Sequence, residues 1–285
     1  MTQPDWASSP LALELRRHDP DRFRTILFAA PERRAALIAL YAFNFEIARI
    51  REVTREPLLG RIRLQWWRDV LAELYGGANP RRHAVVEALA ETLRDRKLSR
   101  PSFEALIDAR ELDLSDRPPP TLDALETYAV DSSASLVMLA LEVLGAADAP
   151  TRAAGRAVGV AYALAGLLAA IPFHARMKRV LLPEDLIERY GLDLQRGLFE
   201  LKSSAALNGI VVEIAARAQI HLAAAGASRP RIARDAVPAL LPAVIARHRL
   251  KLITRLGGDV FDPRWSHPDS LQSWRLAWAA WRGSH

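Results

Sequence analysis

Apolar residues return every three or four positions along nearly all of the 285-residue chain, a period that suits helices and excludes strands. Leu59, Ile62, Trp66, Val70 and Leu74 form one such stripe. Trp66 is therefore expected in the core, with Trp67 a quarter turn round. Gly76-Gly77 closes that helix, because glycine tolerates the left-handed backbone of a helix end. Upstream, Pro31 fits a first helical position before Leu37, Leu40, Tyr41, Ile47 and Ile50. Pro118-Pro119-Pro120 is the clearest break. Thr121 then reads as an N-cap, with Asp123 and Glu126 early in a helix that carries Leu125, Tyr128, Leu136, Leu139 and Val143 as far as Gly145. Further helices are expected over 151–171, 183–190, 198–225, 232–256 and 269–281. No stretch alternates with period two over β-branched residues. Without repeats or linkers, the expectation is an all-α fold: an N-terminal tail over 1–10 and one helical domain over 11–285.

Composition narrows the function classes. Half the residues are hydrophobic and a quarter charged, as in an ordinary globular domain. The absence of cysteine excludes disulfides and thiolate metal sites. Residues 1–10 carry neither a basic nor an apolar leader region, so no secretory signal is expected. The uncharged run 157–173 is rich in Ala and Gly and contains Pro172. It falls short of the roughly 20 strongly apolar residues of a membrane span and is expected to be a buried helix. A net charge of +6 favours anionic partners: diphosphates, an anionic membrane surface or nucleic acid. The nucleic-acid reading rests on Arg94, Arg96, Lys97 and Arg100, and on Arg247, Arg249 and Lys251. No recognised nucleic-acid motif joins these clusters, so that partner is disfavoured.

Five segments carry a resemblance. They are ALYAFNFEIARIRE from Ala39, RLQWWRDVL from Arg63, LIDARELDL from Leu106, YAVDSSASL from Tyr128 and GVAYALAGLLAAIPFHARMKRVLLPEDLIERYGL from Gly159. In this order, over about Leu11 to Trp281, they resemble the squalene/phytoene synthase family. The resemblance implies an isoprenoid-synthase-like helical bundle around a central cavity. It also implies two facing helical segments whose aspartates, one turn apart, hold magnesium with substrate diphosphate.

The residues at those positions depart from the pattern. Matching the first motif puts Ala48 and Arg49 where two aspartates are expected, and leaves Glu52 at the third acidic position. Glu46 is acidic but off register. Counting back from Leu182-Pro183 puts Ala170 and His174 at the second pair. One glutamate cannot assemble a multi-magnesium site, and Glu52 beside Arg49 and Arg51 is expected in an ion pair. Together with the late LQSWRL, these departures resemble the family's degenerate branch, represented by the mitochondrial complex I assembly factor 6. That resemblance implies a non-catalytic protein without cofactor, which assists assembly of respiratory NADH dehydrogenase (complex I). It would bind a subunit, an assembly intermediate or a lipidic or prenyl ligand. It also implies a place in the bacterial cytoplasm, peripheral on the inner membrane, or on the matrix side of the mitochondrial membrane. The alternative is a prenyl transferase joining two prenyl diphosphates head to head, and only that reading requires magnesium.

Four groups of side chains remain. His174 lacks a second His or Cys at ligand spacing, so a hydrogen-bonded cavity histidine is expected rather than a metal ligand. Arg176, Lys178 and Arg179 form either an anion site or a solvated basic stretch. Arg63 and Arg68 are expected to pair with acids on adjacent helices. Leu271, Trp274, Trp278 and Trp281 share a helix face beside Arg275 and Arg282. Burial is the first expectation for that face. A protein interface and a membrane surface are the alternatives.

Overall fold

The structure is a computed structural model that describes residues 6–54, 56–115, 117–227, 232–266 and 269–283. All its regular elements among these residues are helical. They are α1 (Pro10–His18), α2 (Pro20–Ile26), α3 (Pro31–Ala48), α4 (Ile50–Val53), α5 (Pro57–Tyr75), α6 (Ala84–Asp95), α7 (Arg100–Leu112), α8 (Leu122–Ala129), α9 (Ser135–Leu144), α10 (Ala149–Arg176), α11 (Glu184–Tyr190), α12 (Ala205–Ala227), α13 (Val237–Leu240), α14 (Pro242–Arg255) and α15 (Gln272–Trp281). Local chemistry sets many of the boundaries. Proline stands at the start of α1, α2, α3 and α5. The side chains of Ser9, Asp19, Thr121 and Asp148 accept hydrogen bonds from backbone N–H groups three residues on, satisfying donors that a helix start leaves open. Gly145 adopts φ 74° after α9, the left-handed stop anticipated for it.

The longest helix, α10, organises the bundle by packing on α12, α14 and α9. Val158, Ala161, Leu164, Ala165 and Leu168 supply its buried face. A π-helical turn (Val130–Ala134) joins α8 to α9 and lies directly against α10. A Cβ at Gly159 would sit 2.4 Å from the Ala134 Cα, so only glycine allows these backbones to approach. On the other side, α3 packs on α1, α6 and α9. The two motif-bearing helices, α3 and α10, thus both lean on α9. By length and composition, 122–144, 149–176 and 205–227 could cross a membrane. Here their apolar faces build the core, as anticipated for the stretch around 157–173.

Several expectations change. Trp67 is the core residue, with Gly60, Leu64, Val70 and Leu71, whereas Leu59 and Ile62 are exposed. The stripe phase was set by leucines at the start of α5, where no neighbour covers them. The true contact begins where Gly60 meets Leu114. Trp66 is half-buried and edge-on to Trp67, their ring centroids lying 4.9 Å apart. Helix α10 continues past Pro172 to Arg176, because the turn beyond the proline is anchored by buried Ala175. The helix expected over 198–225 starts only at Ala205, and that over 232–256 is divided into a short turn, α13 and α14. Of the expected tail, residues 1–5 lie outside the described part. Trp6 already packs near Phe23, with Arg34 over its ring at 5.1 Å.

Candidate functional site

The first motif segment ends α3. There Arg49 turns the chain into α4, and its Nη1 lies 3.2 Å from Glu14 Oε1 and 3.5 Å from Glu46 Oε1. The guanidinium also lies over Phe45, 5.4 Å from the ring centroid. Ala48 is half-buried and Glu52 is exposed. Glu46, the off-register acid, therefore partners the arginine for which the family resemblance implies an aspartate. Glu52, expected in an ion pair, makes none among the described residues, and Arg49 is turned towards Glu14 on α1. A cleft of about 170 Å³ adjoins the segment, lined by Glu46, Arg49, Arg63, Trp66, Trp67 and His83 among others. Of the two arginines expected to pair, Arg68 donates to Asp108 and Glu111 at 2.7 Å each. Arg63 is exposed instead.

The second motif segment is built differently. Ala170 is half-buried on α10. His174 is partly buried, and its Nδ1 is buried with no hydrogen-bond partner among the described residues. The hydrogen-bonded ring expected from sequence is not found at this nitrogen. Burial and then the nearby Arg179 push the imidazole down to about 4, against the opposing pull of Asp113. His174 is therefore neutral at physiological pH. Arg179 donates to the Asp113 carboxylate at 3.0 Å and to its backbone carbonyl at 3.1 Å. Arg110 donates to the other carboxylate oxygen at 3.1 Å and to the Tyr128 hydroxyl at 2.9 Å. Tyr128 in turn donates to Asp113 at 3.0 Å. Burial pushes that hydroxyl up to about 12, which keeps it a neutral donor. One carboxylate thus gathers two arginines and a tyrosine from three segments of the chain.

This knot settles where the three basic residues point. Arg179 is committed to Asp113, whereas Arg176 and Lys178 are exposed. Lys178 takes φ 54° in the tight turn that swings Arg179 inward. Arg176 faces a different cleft, of about 640 Å³, with Phe173, His248, Arg249, Phe261 and Trp265. Arg179 borders one of about 540 Å³ beside Pro118–Pro120. The three cations are not brought together. The clefts beside the motif segments are separate, and none of these three is lined by both.

A second knot was not anticipated. Asp21 accepts from Arg249 at 2.6 Å and from Gln272 at 2.7 Å. The ring of Tyr162 lies between Arg22, 5.1 Å away, and Arg249, 5.7 Å away. Helices α2, α10, α14 and α15 meet there. Arg249, counted from sequence among the basic residues available to nucleic acid, is turned inward to Asp21. In the other basic cluster Arg96 donates to the Glu32 carbonyl and Arg100 to Glu104. Some of the residues stand in the quoted segments, Arg110 and Asp113 in LIDARELDL and Gln272 in LQSWRL, but those segments carry no signal of their distant partners.

The donor set at the two motif segments does not fit magnesium. The motif positions hold two alanines, an arginine bonded to nearby glutamates and a histidine. No group of three or more His, Asp or Glu side chains among the described residues could hold a metal ion. Magnesium prefers several oxygen donors with water and phosphate, and an arginine at the first pair opposes it.

The squalene/phytoene synthase family model matches residues 15–282. The chain belongs to the squalene/phytoene synthase family. Within the family's reach it is 30% identical to NADH dehydrogenase (ubiquinone) complex I, assembly factor 6, of Rattus norvegicus, over 94% of this chain and 80% of that protein. The Homo sapiens protein of the same name is 28% identical over 98% of this chain and 84% of its own. A presqualene diphosphate synthase of Rhodopseudomonas palustris is 28% identical over 78% of each chain. In fold, the chain matches a dehydrosqualene synthase crystal structure with a TM-score of 0.82 at 18% identity, covering 95% of this chain and 94% of that one. The all-helical, single-domain synthase fold is thereby shown.

Proposed function

We propose that this family member is non-catalytic and assists assembly of respiratory NADH dehydrogenase (complex I). Its action would be binding, either to a subunit or assembly intermediate or to a lipidic ligand. The carrying observation is that the family's aspartate positions are Ala48, Arg49, Ala170 and His174 in a chain whose similarity to the mammalian assembly factors spans almost its whole length. The proposed place of action is the cytoplasmic face of a bacterial inner membrane, or the matrix face if the chain is organellar. Affinity purification of the tagged chain from its native membrane fraction is expected to recover NADH dehydrogenase subunits. Their absence from repeated purifications, with the complex still assembling in cells that lack the chain, would overturn the reading.

The second reading is the prenyl transferase, which the likeness to presqualene diphosphate synthase favours. It requires pyrophosphate to leave an allylic carbon, a departure that divalent metal assists by taking up the developing charge. Incubation with farnesyl or geranylgeranyl diphosphate and magnesium or manganese is expected to release no more pyrophosphate than a protein-free control. Multiple turnovers abolished by chelator would instead establish the transferase.

A further inference from the structure

The C-terminal helix α15 buries one side and leaves the other uncovered. Leu276 and Ala279 are buried against Val237, Leu241 and Ile245. On the opposite side Trp274, Trp278 and Trp281 are 75%, 59% and 69% exposed. Leu271, 56% exposed, extends the same face, since spacings of three, four and three residues keep side chains in line on a helix. Trp278 and Trp281 lie against one another, tilted by 37° with centroids 5.1 Å apart, forming a ridge rather than a groove. No indole N–H of the three finds an acceptor among the described residues. Exposed tryptophan is costly to hydrate along its apolar edge, yet its N–H still requires a polar partner.

Charge decides between possible covers. From Ser270 to Gly283 the chain carries Arg275 and Arg282 and no carboxylate. Arg282 lies over the Trp278 ring at 5.7 Å, and exposed Arg234 reaches the Trp281 carbonyl. The nearest upstream acid, Asp269, is already held by Arg275 and His248. A ridge of amphipathic rings, edged with arginine and free of acids, matches the boundary of an anionic bilayer. There the ring bodies meet acyl chains, the N–H groups meet headgroup oxygens, and the guanidiniums meet phosphates. A flat ridge suits a lipid surface better than a partner protein, which would grip such rings in pockets.

We propose that α15 is an interfacial membrane anchor, docking the domain on anionic phospholipid through Leu271, Trp274, Trp278 and Trp281. This stands independently of the assembly reading. The full chain should float with phosphatidylcholine vesicles containing phosphatidylglycerol, and not with phosphatidylcholine alone. Binding should weaken as salt is raised, because the attraction is screened. Combined Trp274→Ala, Trp278→Ala and Trp281→Ala changes should keep the melting temperature and reduce partition at least about tenfold. The single change Trp281→Asp, in the last turn, should also reduce it. Wild-type protein that stays unbound, or either variant floating as well as wild type, would overturn the proposal. So would a triple variant that unfolds, since the rings would then belong to the core. A dimer that the triple variant abolishes, without vesicle binding by the wild type, would assign the ridge to a protein interface instead.

Discussion

The second motif segment and the C-terminal helix reverse what their compositions suggest. The segment from His174 to Arg179 is rich in cations, yet Arg179 is drawn inside to a carboxylate shared with Arg110 and Tyr128. The last helix is rich in tryptophan, yet it turns those rings to solvent and buries Leu276 and Ala279. The difference lies in what stands opposite. Asp113, at the end of α7, offers the arginines a compensating charge inside, and buried charges persist only where paired. Among the described residues no apolar surface stands opposite the tryptophans, so the domain itself does not remove them from water. Burial is a property of facing surfaces, and a residue's own polarity decides it only when the neighbours are neutral.

Removing Asp113 should break the comparison most severely. Asp113→Ala leaves two largely buried arginines without their carboxylate, and breaking a buried ion pair costs roughly 3–5 kcal/mol. Asp113→Asn keeps the shape and some hydrogen bonds, and should lose less. Denaturant unfolding of both variants measures this. Equal stability of wild type and Asp113→Ala would mean that the knot is hydrated and inert.

The comparison also marks what could be read from the chain. Helix boundaries set by local chemistry were legible: Thr121 caps, Gly145 stops and Pro31 starts as expected. Choosing which residue faces the core was harder. Leu59 and Ile62 carry the same periodicity as Leu64 and Val70, and only the position of Leu114 over Gly60 picks the true face. The two polar knots were invisible, since Asp21 meets Gln272 across 251 positions and Arg179 meets Asp113 across 66. Periodicity carries no information about pairings at such separations.

Titration of His174 should produce an intermediate effect. Its folded-state value, about 4, lies below the ordinary 6.5, so the fold favours the neutral ring. The resulting stability is complete above about pH 6.5 and is lost as pH falls towards 4, where the unfolded chain binds the proton first. Allowing for the ring's partial contact with solvent, the loss should be about 1 kcal/mol. His174→Gln should flatten this part of the stability-against-pH curve without changing the neutral-pH behaviour of the C-terminal helix. An unchanged slope would mean that the protonated ring finds an acceptor the neutral ring does not use.

The smallest stability effect is expected where the largest side chain is changed. A buried tryptophan replaced by alanine costs roughly 3–5 kcal/mol, because transfer energy is lost and a cavity remains. Trp67, 4% exposed and edge-on to Phe43 at 5.2 Å, should behave in that way. Trp278 is 59% exposed and touches chiefly Trp281 and Arg282, so Trp278→Ala leaves no cavity and removes only one tilted ring contact and one cation–π contact. Its stability should stay within about 0.5 kcal/mol of wild type, as for surface substitutions away from special features. Parallel melts of Trp67→Ala and Trp278→Ala make the contrast direct. A Trp278→Ala loss as large as that of Trp67→Ala would return the ridge to the core, and with it the burial expected from sequence. A null effect on the melt together with weaker vesicle binding would show that a helix can devote its most hydrophobic face to a surface outside its own fold.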